Sequence, residues 1–295
     1  MKIIEMDTDT ILEASVSERE ELGITYSVNP YLGCEQGCIY CLNRTVSDKF
    51  EDKLVVYQNA LEIFRTEMIN KYKGGVIGLG TRTEMYQGID AKYNFCESFL
   101  ELLHNHRAPV HIFTKTSRIL ASRDILKTIG KNAAVSFSIS TTNEKLAALF
   151  EPLSPPPIRR LEAMHLLRQF GIQAGIIIKP ILLFLSDHYD ELENIVKLAK
   201  SYRASYMILS PALILRPELK DLYFSRLKVH YPGLAEKYHY LYRNSDMPDI
   251  NYLNVLKAQL KEFLEAYEIS SALPKPGSIF NNADDQLNMF DTNDE

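Results

Sequence analysis

Short apolar runs of strand length alternate with helical segments along most of this 295-residue chain. The runs are nearly continuous in apolar character, as strands are when helices cover both faces of a parallel sheet. The predicted strands are residues 24–31, 76–79, 110–114, 133–139, 172–179 and 205–210. The helices predicted between them start with residues 59–72, for which Asn59 is the expected N-cap. The alternation predicts about six β/α units and hence an α/β fold.

The same pattern divides the chain into four regions. Residues 1–23 form an N-terminal segment, residues 24–215 carry the β/α units, and residues 216–273 have a helical pattern. Residues 274–295 are polar and acidic, a composition typical of segments without a packed core. We therefore predict a β/α core with a C-terminal helical extension and a disordered acidic tail.

Composition narrows the class of protein. The formal net charge is −5, whereas a nucleic-acid binder usually carries a basic surplus. No apolar run approaches the ~20 residues that span a bilayer, and the first residues lack the basic and apolar stretches of a signal peptide. We expect a cytoplasmic protein, whose four cysteines are metal ligands or core residues rather than disulfides.

The fourth predicted strand alternates between polar and apolar residues. Within Ser136–Ser140, we expect Phe137 and Ile139 to face the outer helices, and the three serines to face the interior. A polar interior wall is typical of a ligand cavity. In such folds the ligand-binding residues stand at the carboxyl ends of the strands, so this end is the predicted site.

Three of the four cysteines stand within eight residues, as Cys34, Cys38 and Cys41 in a C-x₃-C-x₂-C spacing. A [4Fe–4S] cluster normally takes four thiolates, so three ligands leave one iron open to another molecule. S-adenosylmethionine (SAM) can fill that position with its amino and carboxylate groups. One electron from the reduced cluster then breaks a C–S bond, and the resulting 5′-deoxyadenosyl radical takes hydrogen from an unactivated carbon.

Two other interpretations of the cysteines compete with the cluster. A structural zinc site usually has four ligands in two close pairs, but no His lies near this loop and Cys96 is distant in sequence. Inert buried cysteines are common in proteins, but three on one loop directly after a strand are unusual. The ligand number and spacing favour the cluster.

The segment Asn29–Arg44, NPYLGCEQGCIYCLNR, resembles the radical SAM superfamily and, within it, the proteins related to spore photoproduct lyase. The resemblance covers about residues 24–215. It continues in order through Gly80–Gln87, Phe113–Ser117, Ser138–Ser140 and the stretch from Glu151 to Ala163. It implies a partial (β/α)₆ TIM-type barrel, a [4Fe–4S] cluster and SAM as cofactors, and an electron donor of the flavodoxin or ferredoxin type.

The resemblance also implies four SAM-binding residues. Tyr40 would lie against the adenine, and Thr83 would help to bind the amino group. Lys115 would pair with the carboxylate, and Ser138 would approach the carboxylate or the ribose. All four positions stand at or near carboxyl ends of strands. The residues alone also allow a solvated Lys115 and a Ser138 hydroxyl bonded to the backbone. For Arg160 they allow a role in bracing the site or a surface charge at the start of a helix.

Several positions depart from the pattern of these relatives. Gln36 stands where they often have His, and Leu42 where they often have Tyr. Thr81 stands where spore photoproduct lyase has the cysteine that donates hydrogen, and we interpret Cys96 as a buried core residue. We therefore do not expect spore photoproduct lyase itself, and the hydrogen donor is open.

Three functions stay open at this point. The first is a radical SAM enzyme acting on DNA or another nucleic acid, favoured by a basic, aromatic-lined groove. The basic residues that could line such a groove are Arg82, Lys92, Arg118 and Arg123. The second is a radical SAM enzyme acting on a peptide or small metabolite, favoured by a closed pocket without a basic rim. The third is a non-catalytic metal-binding module.

The tail contains one further motif. Gln286–Phe290, QLNMF, resembles the Gln-Leu-x-Leu-Phe peptides with which bacterial replication and repair proteins dock on the sliding clamp. A disordered segment with clustered apolar anchors can order itself in a hydrophobic pocket. The competing interpretation is a chance apolar cluster, or one that folds back onto the core, because five-residue matches are weakly specific.

Overall fold

The computed structural model describes residues 1–16, 22–45, 53–272 and 274–276. Within these ranges the strands form a seven-stranded and a three-stranded sheet. The strands are β1 Lys2–Met6, β2 Leu12–Ala14, β3 Tyr26–Val28, β4 Tyr31–Leu32, β5 Lys53–Tyr57, β6 Ile77–Leu79, β7 Val110–Thr114, β8 Ala133–Ser138, β9 Gln173–Ile178 and β10 Met207–Leu209. The motif at Gln286–Phe290 lies outside the described residues.

The helices lie mostly between the strands of the larger sheet. They are α1 Ala60–Asn70, α2 Asp90–Tyr93, α3 Phe95–Asn105, α4 Arg123–Ile129, α5 Glu144–Phe150, α6 Pro157–Gln169, α7 Tyr189–Ser201, α8 Pro217–His230, α9 Pro232–Leu241 and α10 Ile250–Ala266. Short 3₁₀ turns occupy Leu42–Thr45, Ser117–Ser122 and Gly130–Asn132. None of these helices is long and apolar enough to cross a membrane.

The larger sheet has the strand order β10-β9-β8-β7-β6-β3-β2. Its first six strands are parallel to their neighbours, and β2 adds to the edge in the antiparallel sense. The sheet is open, since its two ends are different strands. The predicted α/β fold with six parallel strands is therefore confirmed.

The smaller sheet has the order β1-β5-β4 and was not predicted. The sequence pattern indicated one strand over residues 24–31, but the chain divides there into β3 and β4, which belong to different sheets. Pro30 stands between them and has no N–H to continue a ladder. The division directs the chain after β3 away from the larger sheet and into the cysteine loop.

Strand β8 shows the predicted alternation. Phe137 and Ile139 are fully buried in the hydrophobic core between the larger sheet and the helices that cover it. The hydroxyl of Ser136 lies 2.8 Å from Nε2 of His111 on β7, inside the curved sheet. The polar face of β8 thus points to the interior, where the site is expected.

The C-terminal helices α8–α10 pack on the same core. The Tyr242 hydroxyl donates to the Leu213 carbonyl at 2.8 Å, and the Tyr238 hydroxyl donates to the Leu183 carbonyl. Both tyrosines are fully buried. These two buried tyrosines, bonded to backbone carbonyls, fix α9 over the loops that follow β9 and β10.

Candidate active site

The cysteine loop begins directly after β4. Cys38 is buried, whereas Cys34 and Cys41 are partly exposed. Gly33 has a φ of +95°, and a Cβ there would lie 2.7 Å from the Lys53 carbonyl oxygen. Only glycine fits this close approach, because the contact is with backbone that cannot move aside. Gly33 thereby sets the direction in which the loop leaves β4.

Cys41 lies within electrostatic range of both other thiols of the loop. Burial raises the pKa of Cys34 to about 12 and that of Cys38 to about 11, and the nearby Cys41 adds to both shifts. Among the described residues, no three His, Cys, Asp or Glu side chains are arranged to hold a single metal ion. A [4Fe–4S] cluster needs a wider arrangement, because each of its thiolates binds a different iron, whereas zinc draws all its ligands to about 2.0–2.3 Å. The number and spacing of the thiols on one loop are those predicted for the cluster.

Backbone hydrogen bonds hold the loop from two sides. The Glu35 N–H donates to Oε1 of Gln87 at 3.0 Å, and the Glu35 carboxylate accepts from the N–H groups of Gly88 and Ile89. On the other side, the Ile39 N–H donates to the Phe150 carbonyl at 2.9 Å. These bonds fix the loop between the segment after β6 and the end of α5.

Glu84 is a buried carboxylate between the cysteine loop and the end of β7. It accepts hydrogen bonds from the Thr114 hydroxyl at 2.9 Å, the Lys115 N–H at 2.8 Å, the Tyr86 N–H at 3.0 Å and the Gln36 amide at 3.1 Å. Burial raises its pKa, and the hydrogen bonds oppose that shift. Glu84 therefore joins the ends of β6 and β7 to the cysteine loop.

Three of the four predicted SAM-binding residues meet at the carboxyl ends of β7 and β8. The Lys115 ammonium donates to the Ser138 hydroxyl at 2.7 Å and lies 5.9 Å from the centre of the Tyr40 ring. It also lies 3.8 Å from a carboxylate oxygen of Glu151, and its side chain is 14% exposed. An ammonium has three N–H donors, so this group has a donor left with which to bind an anion.

Behind Lys115 lies an ion pair of which sequence reasoning considered only Arg160 as a possible brace of the site. Glu151 and Arg160 are both fully buried and form a hydrogen-bonded salt bridge. Arg160 also donates to the Ser138 carbonyl at 2.9 Å and the Pro155 carbonyl at 2.8 Å. Burial acts to raise the pKa of Glu151, but Arg160 and Lys115 outweigh it and lower the pKa to about 2.

Glu151 connects this ion pair to the predicted adenine contact. The Tyr40 hydroxyl donates to Glu151, and the Ser140 hydroxyl donates to the same carboxylate oxygen at 3.0 Å. Burial and the Glu151 charge raise the pKa of Tyr40, so its hydroxyl keeps its proton. One buried carboxylate thus orients Tyr40 in the loop and Lys115 after β7.

Thr83 does not join this group. It is buried after β6, and its hydroxyl donates to the Tyr31 carbonyl over 3.4 Å. Cys96 lies in α3, buried, with its N–H directed at Asp90 over 3.4 Å. Thr81 also has a buried hydroxyl, for which the described residues supply no hydrogen-bond partner.

Sequence reasoning missed Glu84 and Glu151, and for Arg160 it left open a role in bracing the site or a surface charge. The signal was present in part, because all three stand inside motifs of the resemblance. What the motif could not show is burial, since a charged residue at a helix end is usually solvated. Contacts between distant segments decide that these charges lie inside.

Comparison with known proteins identifies the family of this chain. The sequence model of the radical SAM superfamily matches residues 28–199, more than half of the chain. An uncharacterised protein of Mycobacterium tuberculosis is 23% identical over 260 residues, covering 84% of this chain and 76% of that protein. Residues 28–199, which match the family model, contain the cysteine loop and the strand ends that face it.

Solved structures resemble the fold over most of its length. A double mutant of spore photoproduct lyase with bound AdoMet and dinucleoside spore photoproduct has a TM-score of 0.68 at 15% identity, covering 90% of this chain and 79% of that chain. SuiB of Streptococcus suis, bound to the precursor peptide SuiA, has a TM-score of 0.54 at 13% identity, covering 82% and 46%. At these identities the likeness establishes the fold.

Proposed function

Because this chain belongs to the radical SAM superfamily, we propose that it binds a [4Fe–4S] cluster through Cys34, Cys38 and Cys41 and cleaves SAM reductively. The observation that supports this most directly is the meeting of the three-thiol loop with Lys115 and Ser138 at the carboxyl ends of the parallel strands. When bound, the cluster and SAM supply a 5′-deoxyadenosyl radical that abstracts hydrogen from a substrate.

The residues of the chain have distinct parts in binding SAM. Lys115 pairs with the carboxylate, because its ammonium is partly exposed and has a donor that Ser138 and Glu151 do not use. Ser138 contributes its hydroxyl, which accepts from Lys115 at 2.7 Å and, as the alternative interpretation expected, donates to the Lys179 carbonyl at 2.9 Å. Tyr40 supplies a ring held by Glu151. Thr83 binds the amino group, exchanging its long 3.4 Å hydrogen bond to Tyr31 for the ligand.

For the substrate we propose first a nucleic acid. The support is that spore photoproduct lyase, which shares the fold, has been solved with a dinucleoside photoproduct. A fluorescently labelled single-stranded oligonucleotide should then bind with an affinity that falls as salt rises, since phosphate contacts release counterions. Binding that is absent at low salt would contradict this proposal.

A peptide or small metabolite is the second candidate, and one observation favours it. Three of the four basic residues that could line a nucleic-acid groove pair with acidic neighbours: Arg82 with Glu13, Lys92 with Glu5, and Arg123 with Asp124. Paired charges attract phosphates weakly. The structure of SuiB with a precursor peptide gives this candidate a precedent within the fold.

Two protein partners belong to the same proposal. A flavodoxin- or ferredoxin-type protein supplies the electron, and the sliding clamp binds Gln286–Phe290. The second is tested by titrating a labelled peptide of residues 284–295 against purified clamp. Loss of binding in the Phe290→Ala peptide supports the docking, and equal binding of both peptides contradicts it.

The cluster is tested by anaerobic reconstitution. We expect about four irons and four sulfides per chain, and an EPR signal of the reduced protein that changes when SAM is added. Cys41→Ala should abolish both, whereas the matched control Cys96→Ala, in the buried helix α3, should retain both. Stoichiometric zinc in anaerobically purified protein, without iron uptake, would contradict the proposal.

A further inference from the structure

A chain of hydrogen bonds runs from the second cysteine of the loop to Glu84. Cys38 Sγ lies 3.7 Å from Oγ of Ser154, in the segment between α5 and α6. The Ser154 hydroxyl donates to Oε1 of Gln36 at 3.1 Å, and Nε2 of Gln36 donates to Glu84 at 3.1 Å. Four side chains from three separate segments are thus connected in series, and the first of them, Cys38, is a proposed cluster ligand.

The direction of this chain is fixed from the Glu84 end. All four partners of the Glu84 carboxylate are donors, and a carboxylate only accepts. The nitrogen of the Gln36 amide therefore faces Glu84, and its oxygen faces Ser154. The Ser154 hydroxyl has one hydrogen, which can go either to this oxygen or to the sulfur of Cys38.

We propose that Ser154 is a positioning residue that donates a hydrogen bond to the Cys38 thiolate, and that the Gln36 carbonyl competes for the same hydrogen, so that together they set the reduction potential of the cluster. The proposal rests on the proposed function, because it requires Cys38 to be a cluster ligand. A ligating thiolate carries no hydrogen and can only accept, and hydrogen bonds to ligand sulfurs are one of the factors that set cluster potentials.

The competition follows from charge and burial. A bond from Ser154 to a thiolate is charge-assisted and stronger than one to an amide oxygen. However, Gln36 is 8% exposed, and its carbonyl loses its partner when the hydroxyl turns to the sulfur. An unsatisfied buried acceptor is costly, so the hydrogen divides between the two acceptors.

Ser154→Ala and Gln36→Met are expected to shift the midpoint potential of the cluster in opposite directions. Ser154→Ala removes the donor and should lower the equilibrium constant for one-electron reduction about three- to tenfold, roughly 30–60 mV. Gln36→Met removes the competing acceptor and should shift the midpoint potential upward. In the Ser154→Ala background, Gln36→Met should have no further effect. Ser154→Thr keeps the hydroxyl and should restore the wild-type potential.

The measurement is an EPR-monitored redox titration of the anaerobically reconstituted protein, with iron and sulfide content determined for each variant. Ser225→Ala, an exposed serine in α8 that bonds only locally to Leu222, is the matched control. A fully loaded Ser154→Ala protein with the wild-type potential would overturn the inference. So would a Gln36→Met shift that persists without Ser154. If the wild-type protein takes up no cluster, the proposed function fails instead.

Discussion

At the scale of single residues, Lys115 is the group that the account relies on most for SAM binding. Lys115→Ala removes a charge-assisted bond in a largely enclosed position and should weaken SAM binding by about 1.5–3 kcal/mol, with iron content unchanged. Isothermal titration calorimetry on reconstituted protein measures this. Lys92→Ala, which removes an exposed lysine paired with Glu5, is the control and should leave the affinity unchanged.

Replacing the buried Glu151 should lower the unfolding free energy more than replacing a surface glutamate. Glu151→Gln leaves the fully buried Arg160 guanidinium without its charge partner, which should cost about 3–5 kcal/mol of unfolding free energy. Glu162→Gln breaks an exposed pair with Arg159 and should cost at most about 1 kcal/mol. Urea unfolding of both variants decides the matter, and equal costs would show that Glu151 is not a buried anchor.

The residues of the site could be predicted unequally well. The three cysteines, Lys115 and Ser138 stand at fixed offsets in local motifs, so a single sequence is enough to nominate them. Glu151 shares its carboxylate with Tyr40, 111 positions away along the chain. No local pattern encodes such a pairing, because it depends on which strand ends meet in the folded sheet.

At the scale of elements, burial of His111 in the sheet makes the stability of the fold depend on pH. It lies on β7, almost fully buried, with Nε2 2.8 Å from the Ser136 hydroxyl of β8 and its ring 4.2 Å from that of Phe113. Burial lowers its pKa to about 3. Because the unfolded chain takes up this proton near pH 6.5 and the folded chain does not, stability is complete above pH 6.5 and is lost as pH falls towards 3.

Unfolding free energy should therefore fall by roughly 1.4 kcal/mol per pH unit below about pH 6 on account of His111. His111→Gln should make this dependence correspondingly shallower, whatever its effect on absolute stability. Urea unfolding between pH 4.5 and 7.5 measures the slope. An unchanged slope in His111→Gln would refute the assignment.

Elements with strong periodicity were predictable, whereas those that depend on distant partners were not. Helix α3 and the parallel strands follow their apolar patterns closely. Asn59, predicted to cap α1, makes no side-chain cap bond, because its amide exchanges hydrogen bonds with the backbone of Thr8. The N-terminal segment takes the side chain away from the helix, and this long-range contact has no signature near Asn59.

At the scale of the whole molecule, the strand order brings the parts of the site together. Strands β6, β7 and β8 are adjacent and parallel, so the segments that carry Thr83, Lys115 and Ser138 lie side by side at the carboxyl ends of these strands. The chain leaves the larger sheet at Pro30, and the cysteine loop that follows lies at the same end, where Phe150 and Gln87 bind its backbone. The fold therefore places the proposed cluster-binding loop opposite the segments that are proposed to bind SAM.

The most direct test of this account is anaerobic incubation of the reconstituted protein with dithionite and SAM, followed by chromatography for 5′-deoxyadenosine. We expect 5′-deoxyadenosine to form in the wild-type protein and in Cys96→Ala, and to be absent in Cys41→Ala. A protein that holds its full complement of iron and sulfide and binds SAM, yet releases no 5′-deoxyadenosine above the Cys41→Ala background, would contradict the central claim.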